Sequence, residues 1–201
     1  MSQNLTKTQF TSNKISWKKS FADGFSRDEN GAAVPWMTYP AIEFLKNKIT
    51  KEHEIFEFGC GASTLFFARN AKRVVGLETN EIWLKIVREM LAKEERENVE
   101  ITLMADGLTN PLYENFAKNS GQKFDLIVID SLKRFECAKN VIEALKVGGM
   151  VILDDSERKN YKKIFDFFAE KGFEKRDFFG IAPAQLRVKN TTVFFKDWGR
   201  E

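Results

Sequence analysis

Short runs of unbroken apolar residues alternate along this chain with segments whose apolar positions recur every three or four residues. A run of the first kind suits a strand buried on both faces; the second pattern suits a helix with one buried face. Strands are predicted at residues 54–58, 73–77, 99–103, 126–129 and 150–153, with a closing pair near 173–178 and 191–196. Between them fall helices at about 63–69 and behind Asn80, a capping residue, with Trp83, Ile86, Val87, Met90 and Leu91 on the apolar face. Further helices are predicted through Leu112 and Phe116, through Phe135, Ala138, Val141, Ile142 and Leu145, and around 161–170. Gly148-Gly149 should break the helix before the fifth strand.

Five strand–helix units with continuously apolar strands point to a parallel sheet covered on both faces, an α/β sandwich. Two final strands joined by a loop suggest a hairpin. Residues 1–34 are polar, carry the turn-forming pairs Asp23-Gly24 and Asn30-Gly31, and read as an extension lying on the domain formed by residues 35–201. Pro35 to Pro40 leads into a short helix at 41–45 with a proline in its first turn.

Composition narrows the function. At 201 residues and 43% hydrophobic, the chain can bury one substantial core. The net charge of +3 is interleaved with no basic block, which weighs against nucleic acid as the main partner. Cys60 and Cys137 lie far apart with no zinc-type spacing, as expected of a reducing cytoplasm. The polar N-terminus lacks the apolar centre of a signal peptide, and no stretch approaches the roughly 20 apolar residues that cross a membrane.

The chemistry concentrates at the strand ends. Glu57-Phe58-Gly59-Cys60-Gly61-Ala62-Ser63-Thr64 describes a strand turning sharply into a helix, with glycines that let backbone N–H groups approach a ligand. A dinucleotide-binding turn would carry a third glycine where Thr64 stands. The other strands end in Glu78-Thr79, Asp106-Gly107, Asp130-Ser131-Leu132-Lys133 and Asp154-Asp155, so all five ends bear a carboxylate. In an open parallel sheet these ends form one rim. Five carboxylates there suit a ligand rich in hydroxyls, amines or positive charge.

From Trp36 onward the chain resembles the class I S-adenosylmethionine (SAM) dependent methyltransferases. The resemblance implies a Rossmann-like three-layer sandwich with a mostly parallel seven-stranded sheet and a C-terminal antiparallel hairpin. It implies that Gly59, Cys60 and Gly61, with Ser63 and Thr64, close around the methionine part of SAM, supported by Glu57. Glu78, next to Thr79, would accept from the ribose hydroxyls; Asp106 and Gly107 would meet the adenine; Asp130 would lie near the transferred methyl.

A narrower likeness joins residues 124–133 and 147–155 to the cation-dependent O-methyltransferases of the caffeoyl-CoA and catechol type. It implies Mg²⁺ held by Asp130, Asp154 and Asp155, and Lys133 as base for the acceptor hydroxyl. That family has Asn where Asp155 stands, and a polar residue in place of Leu132. The plainer alternative is that Asp154 and Asp155 cap a helix and Lys133 is solvated. Trp36 and Tyr39 either close over the ligand or pack the N-terminal segment, and Arg134, near Asp130 in the chain, either binds an anionic acceptor or pairs with a carboxylate. The loop from Phe179 to Pro183, leading to Gln185 and Arg187, is placed at the acceptor pocket; Cys60 fills the turn and His53 lies at the surface.

The expected activity is methyl transfer from SAM to a hydroxyl or similar nucleophile of a small molecule, a sugar-like one included. Neither a nucleic-acid nor a membrane partner is expected. Two other readings stand: N-methylation of a macromolecule, disfavoured because Asp130-Ser131-Leu132-Lys133 lacks an Asn-Pro-Pro-Tyr pattern, and a SAM-binding sensor without turnover.

Overall fold

Strands β1 (Glu54–Phe58), β2 (Arg73–Glu78), β3 (Val99–Leu103), β4 (Phe124–Ile129) and β5 (Leu145–Leu153) pair in parallel in the order β3-β2-β1-β4-β5. Strand β7 (Val188–Phe195) runs antiparallel against β5, and β6 (Glu174–Ile181) completes the sheet beside β7. This computed structural model describes residues 7–196; the first six residues of the expected extension and residues 197–201 lie outside it. The strand order reverses between β1 and β4, where an α/β sheet opens a crevice.

Alternation along the strands builds two cores. Ile55, Leu126, Val128 and Ile152 face helices α2 (Tyr39–Lys48) and α3 (Ala62–Asn70), packing on Leu45 and Phe67. Phe56, Phe58, Ile127, Ile129 and Val151 face the other way, onto α6 (Arg134–Val141) and α7 (Lys162–Glu170) through Ala138, Ile164 and Phe168. Each buried side chain of this size stabilises the fold by roughly 1.5–3 kcal/mol. Burial on both faces is why these strands read as unbroken apolar runs.

Helix α4 (Glu81–Lys93) is capped as predicted: Asn80 Oδ1 accepts the Trp83 N–H at 2.9 Å. Its buried face is Leu84, Val87 and Leu91, whereas Ile86 is exposed. The predicted face is therefore rotated.

Four local expectations are corrected. The segment through Leu112 is a series of turns around Pro111, leaving only the four-residue helix α5 (Phe116–Asn119), with Leu112 exposed. Gly148-Gly149 does not precede the fifth strand but lies inside it: β5 begins at Leu145, and the β4 register shifts between Phe124 and Leu126. Gly148, at φ +75°, absorbs that irregularity. The final strands run longer than predicted, which shortens their loop to residues 182–187. Fourth, the polar N-terminal segment contains a helix, α1 (Lys7–Asp23), with no apolar stripe to announce it. Its buried side chains include serines: Ser16 Oγ donates to Arg27 O at 2.5 Å, and Ser20 Oγ accepts the Arg27 N–H at 2.8 Å. Gly24 and Gly31 take positive φ, as their turn pairs suggested. Among the described residues, no helix is long and apolar enough to cross a membrane.

Candidate functional site

A cavity of 480 Å³ opens beyond the carboxyl ends of β1, β2 and β4. The turn between β1 and α3 forms one wall. Gly59 sits at φ +89°, and a Cβ there would overlap the Asp130 carbonyl oxygen, so β4 closes against bare backbone. Gly61 has a different reason: a Cβ would only touch the Trp83 ring at 3.5 Å, so glycine keeps the approach clear rather than relieving a clash. Thr64, standing where a dinucleotide turn has its third glycine, accepts the Gly61 N–H at 2.9 Å and fixes the start of α3.

Cys60 is held at both ends of its backbone. Its N–H donates to Glu78 Oε2 at 2.9 Å, and its carbonyl accepts the Trp83 indole N–H at 2.6 Å. The thiol packs against Gly76 of β2, where a Cβ could not fit, which bears out the filler role.

Glu78 does more than the sequence showed. Its Oε1 accepts the N–H groups of Thr79 and Asn80 at 2.7 and 2.8 Å, so one carboxylate ties the β2 end to the β1 turn. A carboxylate offers about four acceptor directions, which leaves one free on Oε2. Below the turn, Glu57 is fully buried, near the Ser63 and Thr64 hydroxyls. Burial pushes its pKa up to about 8, against the pull of the Ser63 and Thr64 hydroxyls, with Asp130 and Glu78 adding to the rise. Glu57 is therefore mainly protonated at neutral pH.

Asp130, Ser131, Leu132 and Arg134 also line the cavity, together with Trp36, Met37, Trp83 and Tyr113. Tyr113 has a buried hydroxyl near Ser131, and burial raises its phenol pKa. Trp83, Tyr113 and Met37 escaped the sequence reading. Trp83 had been taken as core, and Tyr113 follows Pro111 in an irregular stretch with no period to mark it.

Other predicted site residues lie elsewhere. Asp106 is exposed and its carboxylate accepts the Asn110 amide at 3.1 and 3.3 Å. Gly107 is a packing glycine, since a Cβ would overlap Tyr113 and Thr79 side chains. Neither lines the cavity. Asp130 pairs with Arg134 at 2.5 Å, and Arg134 also donates to the Tyr161 hydroxyl at 3.0 Å. Lys133 turns away to Glu114 at 2.9 Å and Asn110 O at 3.2 Å. Trp36 lines the cavity and donates to Pro183 O at 2.5 Å, whereas Tyr39 is buried against Ser16 Oγ at 3.0 Å. The loop at 182–187 does not line this cavity.

The residues predicted for Mg²⁺ have cationic partners within the chain. Asp154 and Asp155 both engage the buried ammonium of Lys189, directly for Asp154 and at 2.8 Å for Asp155. Thr191 donates to Asp154 at 2.7 Å, and Arg158 and Arg187 pair with Asp155. Burial pushes Asp154 up to about 7, reinforced by Asp130. Burial opposes the charge on Lys189, but the two aspartates outweigh it and hold the ammonium charged. Among the described residues, no three His, Cys, Asp or Glu side chains converge as a metal set. Three carboxylates already neutralised by Lys and Arg do not fit a resident cation.

The chain matches no protein-family model and no curated protein. Its fold does have solved counterparts. It is similar to a precorrin-6y C5,15-methyltransferase from Geobacter metallireducens (TM-score 0.60, 15% identity, covering 88% of this chain and 96% of that one). An rRNA methylase from Streptococcus thermophilus is similar at TM-score 0.58 and 18% identity, over 78% of this chain and 96% of that one. An N-methyltransferase from Bradyrhizobium japonicum, solved with S-adenosyl-L-homocysteine, is similar at TM-score 0.53 and 14% identity, over 76% and 81%. The fold is that of the class I SAM-dependent methyltransferases, with their seven-stranded sheet and terminal antiparallel pair.

Proposed function

We propose that this chain is a SAM-dependent methyltransferase that transfers a methyl group to a hydroxyl or similar nucleophile of a small molecule. The observation that carries the reading is the β1–α3 turn. Its backbone is locked by Glu78, Thr64 and Trp83, while its ligand side carries no side chain larger than Cys60 and Ser63. Ser63, Glu78, Thr79, Asp130 and Ser131 give the cavity a polar lining, which fits a polar ligand there. The solved neighbours named for methyl transfer, one of them holding the demethylated cofactor, support the same reading.

When bound, SAM supplies an electrophilic methyl on a sulfonium whose charge is lost on transfer. The residues of this chain orient and screen it. Glu78 faces the cavity as a carboxylate and would favour the positive sulfonium there. Glu78 would use its remaining Oε2 direction for a ribose hydroxyl, and Asp106 would have to leave Asn110 to reach an adenine amine. Trp36 and Met37 in the lining would exclude water, and alignment is the main catalytic contribution such a site makes. Asp130, which lines the cavity, would lie near the transferred methyl. The interleaved charge supports a small-molecule acceptor, and two free buried cysteines suit a reducing cytoplasm.

A sensor that binds SAM without turnover is favoured by one observation: Asp130 and Lys133, the candidate acid–base pair, are both ion-paired. Calorimetric titration with SAM, followed by turnover of methyl-labelled SAM on hydroxylated acceptors, separates the two. Absence of SAM binding overturns both readings, and tight binding without turnover on any acceptor selects the sensor.

A further inference from the structure

A second cavity, of 690 Å³, lies on the β6 side of the molecule between α1, the start of α2 and the β6–β7 hairpin. Its walls are apolar: Trp17 from α1, Pro40 from α2, Phe179 and Ile181 from β6, and Leu186 from the loop. Pro40 comes so close to Gly180 that a Cβ there would meet its ring at 3.2 Å, which closes the floor. Phe179 is 69% exposed and Leu186 85%, so large apolar groups are held open to water inside one concavity. Scattered exposed apolar residues need no explanation, but a lined apolar cavity of ligand size does.

The wall of this cavity is stiff. Trp17 Nε1 donates to Gln185 O at 2.9 Å, and Trp36 Nε1 donates to Pro183 O at 2.5 Å, so indoles from two elements pin the 182–187 loop. Trp36 lines the first cavity and Trp17 the second, while of the two only the second is lined by the loop, through Gln185 and Leu186.

The rim is charged with one sign. Lys14 and Lys18, one helical turn apart on α1, are both exposed at the cavity edge, and neither has a hydrogen bond or ion pair among the described residues. The one acidic residue of the lining, Glu43, is neutralised by Lys46 at 2.9 Å. We infer that this cavity binds a single amphipathic anion, an apolar chain or ring system seated on Trp17, Phe179 and Leu186 with a carboxylate or phosphate head beside Lys14 and Lys18. A concave seat with a floor suits one inserted molecule better than a flat lipid surface. The inference is independent of the SAM reading, since no residue of the methionine turn takes part.

The test is calorimetric titration of the full chain with dodecanoate and dodecyl phosphate below their micelle concentrations, and with dodecyltrimethylammonium as the cation of equal chain length. Both anions should bind one per chain, roughly tenfold more tightly than the cation, the size expected of two exposed charge contacts. Lys14→Glu with Lys18→Glu should invert that order. Leu186→Asp should weaken all three ligands by tenfold or more while leaving the melting temperature and SAM affinity unchanged, because Leu186 is solvent-facing. Equal affinity for anion and cation, or binding indifferent to Leu186→Asp, overturns the inference. So does binding only to anionic vesicles, or a dimer that Leu186→Asp dissociates, which would make the face a membrane or self-association surface.

Discussion

The indole N–H of Trp83 donates to the carbonyl oxygen of Cys60 at 2.6 Å, joining the first turn of α4 to the middle of the Gly59–Gly61 turn. With Glu78 on the N–H of the same residue, the peptide planes on both sides of Cys60 are fixed before any ligand arrives. Affinity then needs less ordering of the turn on binding. Trp83→Phe keeps the ring against Phe25 (5.9 Å between centroids) but strands the Cys60 carbonyl. SAM affinity should fall about fivefold, the value of one hydrogen bond near 1 kcal/mol, with little change in melting temperature. Calorimetry on both proteins checks this.

Glu78→Ala should lower both affinity and stability, because the N–H groups of Cys60, Thr79 and Asn80 lose their shared acceptor. A loss of about 1–3 kcal/mol in unfolding free energy is expected, with weaker SAM binding. Glu78→Gln keeps the shape but turns an amide N–H₂ toward N–H donors, so it should resemble Ala rather than wild type. Unchanged SAM affinity in both variants would remove Glu78 from the cofactor site.

Glu57 gives a pH signature. Unfolded, its carboxyl ionises near 4.5; folded, it keeps its proton to about 8. The folded state thus binds more protons across that window, and stability falls as pH rises through it, by about 1.4 kcal/mol per unit for one group. Asp154, raised from 3.8 to about 7, acts with the same sign in the lower part of the window. Above pH 7 Glu57 remains, so Glu57→Gln should flatten urea-unfolding free energies between pH 7 and about 8.

Lys189→Met should be severely destabilising, by about 3–5 kcal/mol, because it leaves Asp154 and Asp155 sharing a dry site without their central cation. Lys189→Met with Asp154→Leu should recover a large part of that loss, which urea unfolding would read.

The filled carboxylates also bear on metal dependence. Since Lys189, Arg158 and Arg187 already neutralise the rim of β5, a chelator should leave turnover unchanged, and added Mg²⁺ should not raise it. Chelator-sensitive turnover restored by Mg²⁺ would mean that these ion pairs open in the working enzyme.

Strands and caps were legible because their causes are local. Ile55-Phe56 and Leu126 to Ile129 are apolar at consecutive positions, which only a strand covered on both faces accommodates. Asn80 announced α4 by its side-chain chemistry alone. Helix α1 was illegible for the opposite reason: its anchoring groups include Ser16 and Ser20, which both donate to the Arg27 carbonyl, eleven and seven residues away, leaving no period to read.

The Gly59–Gly61 turn, the acidic strand ends and the unbroken apolar strands follow from residue types in local succession, so the sequence determined the fold class and the turn at the rim of the cavity. Partner choice among charged side chains was decided only in three dimensions. Asp154 and Asp155 look identical in sequence whether they face a cation from solution or the buried ammonium of Lys189, thirty-five residues away for Asp154. Lys133 likewise reads as a base until Glu114 stands beside it. Coulomb energy depends on distance and dielectric, and neither exists along the chain until strands β5 and β7 pair.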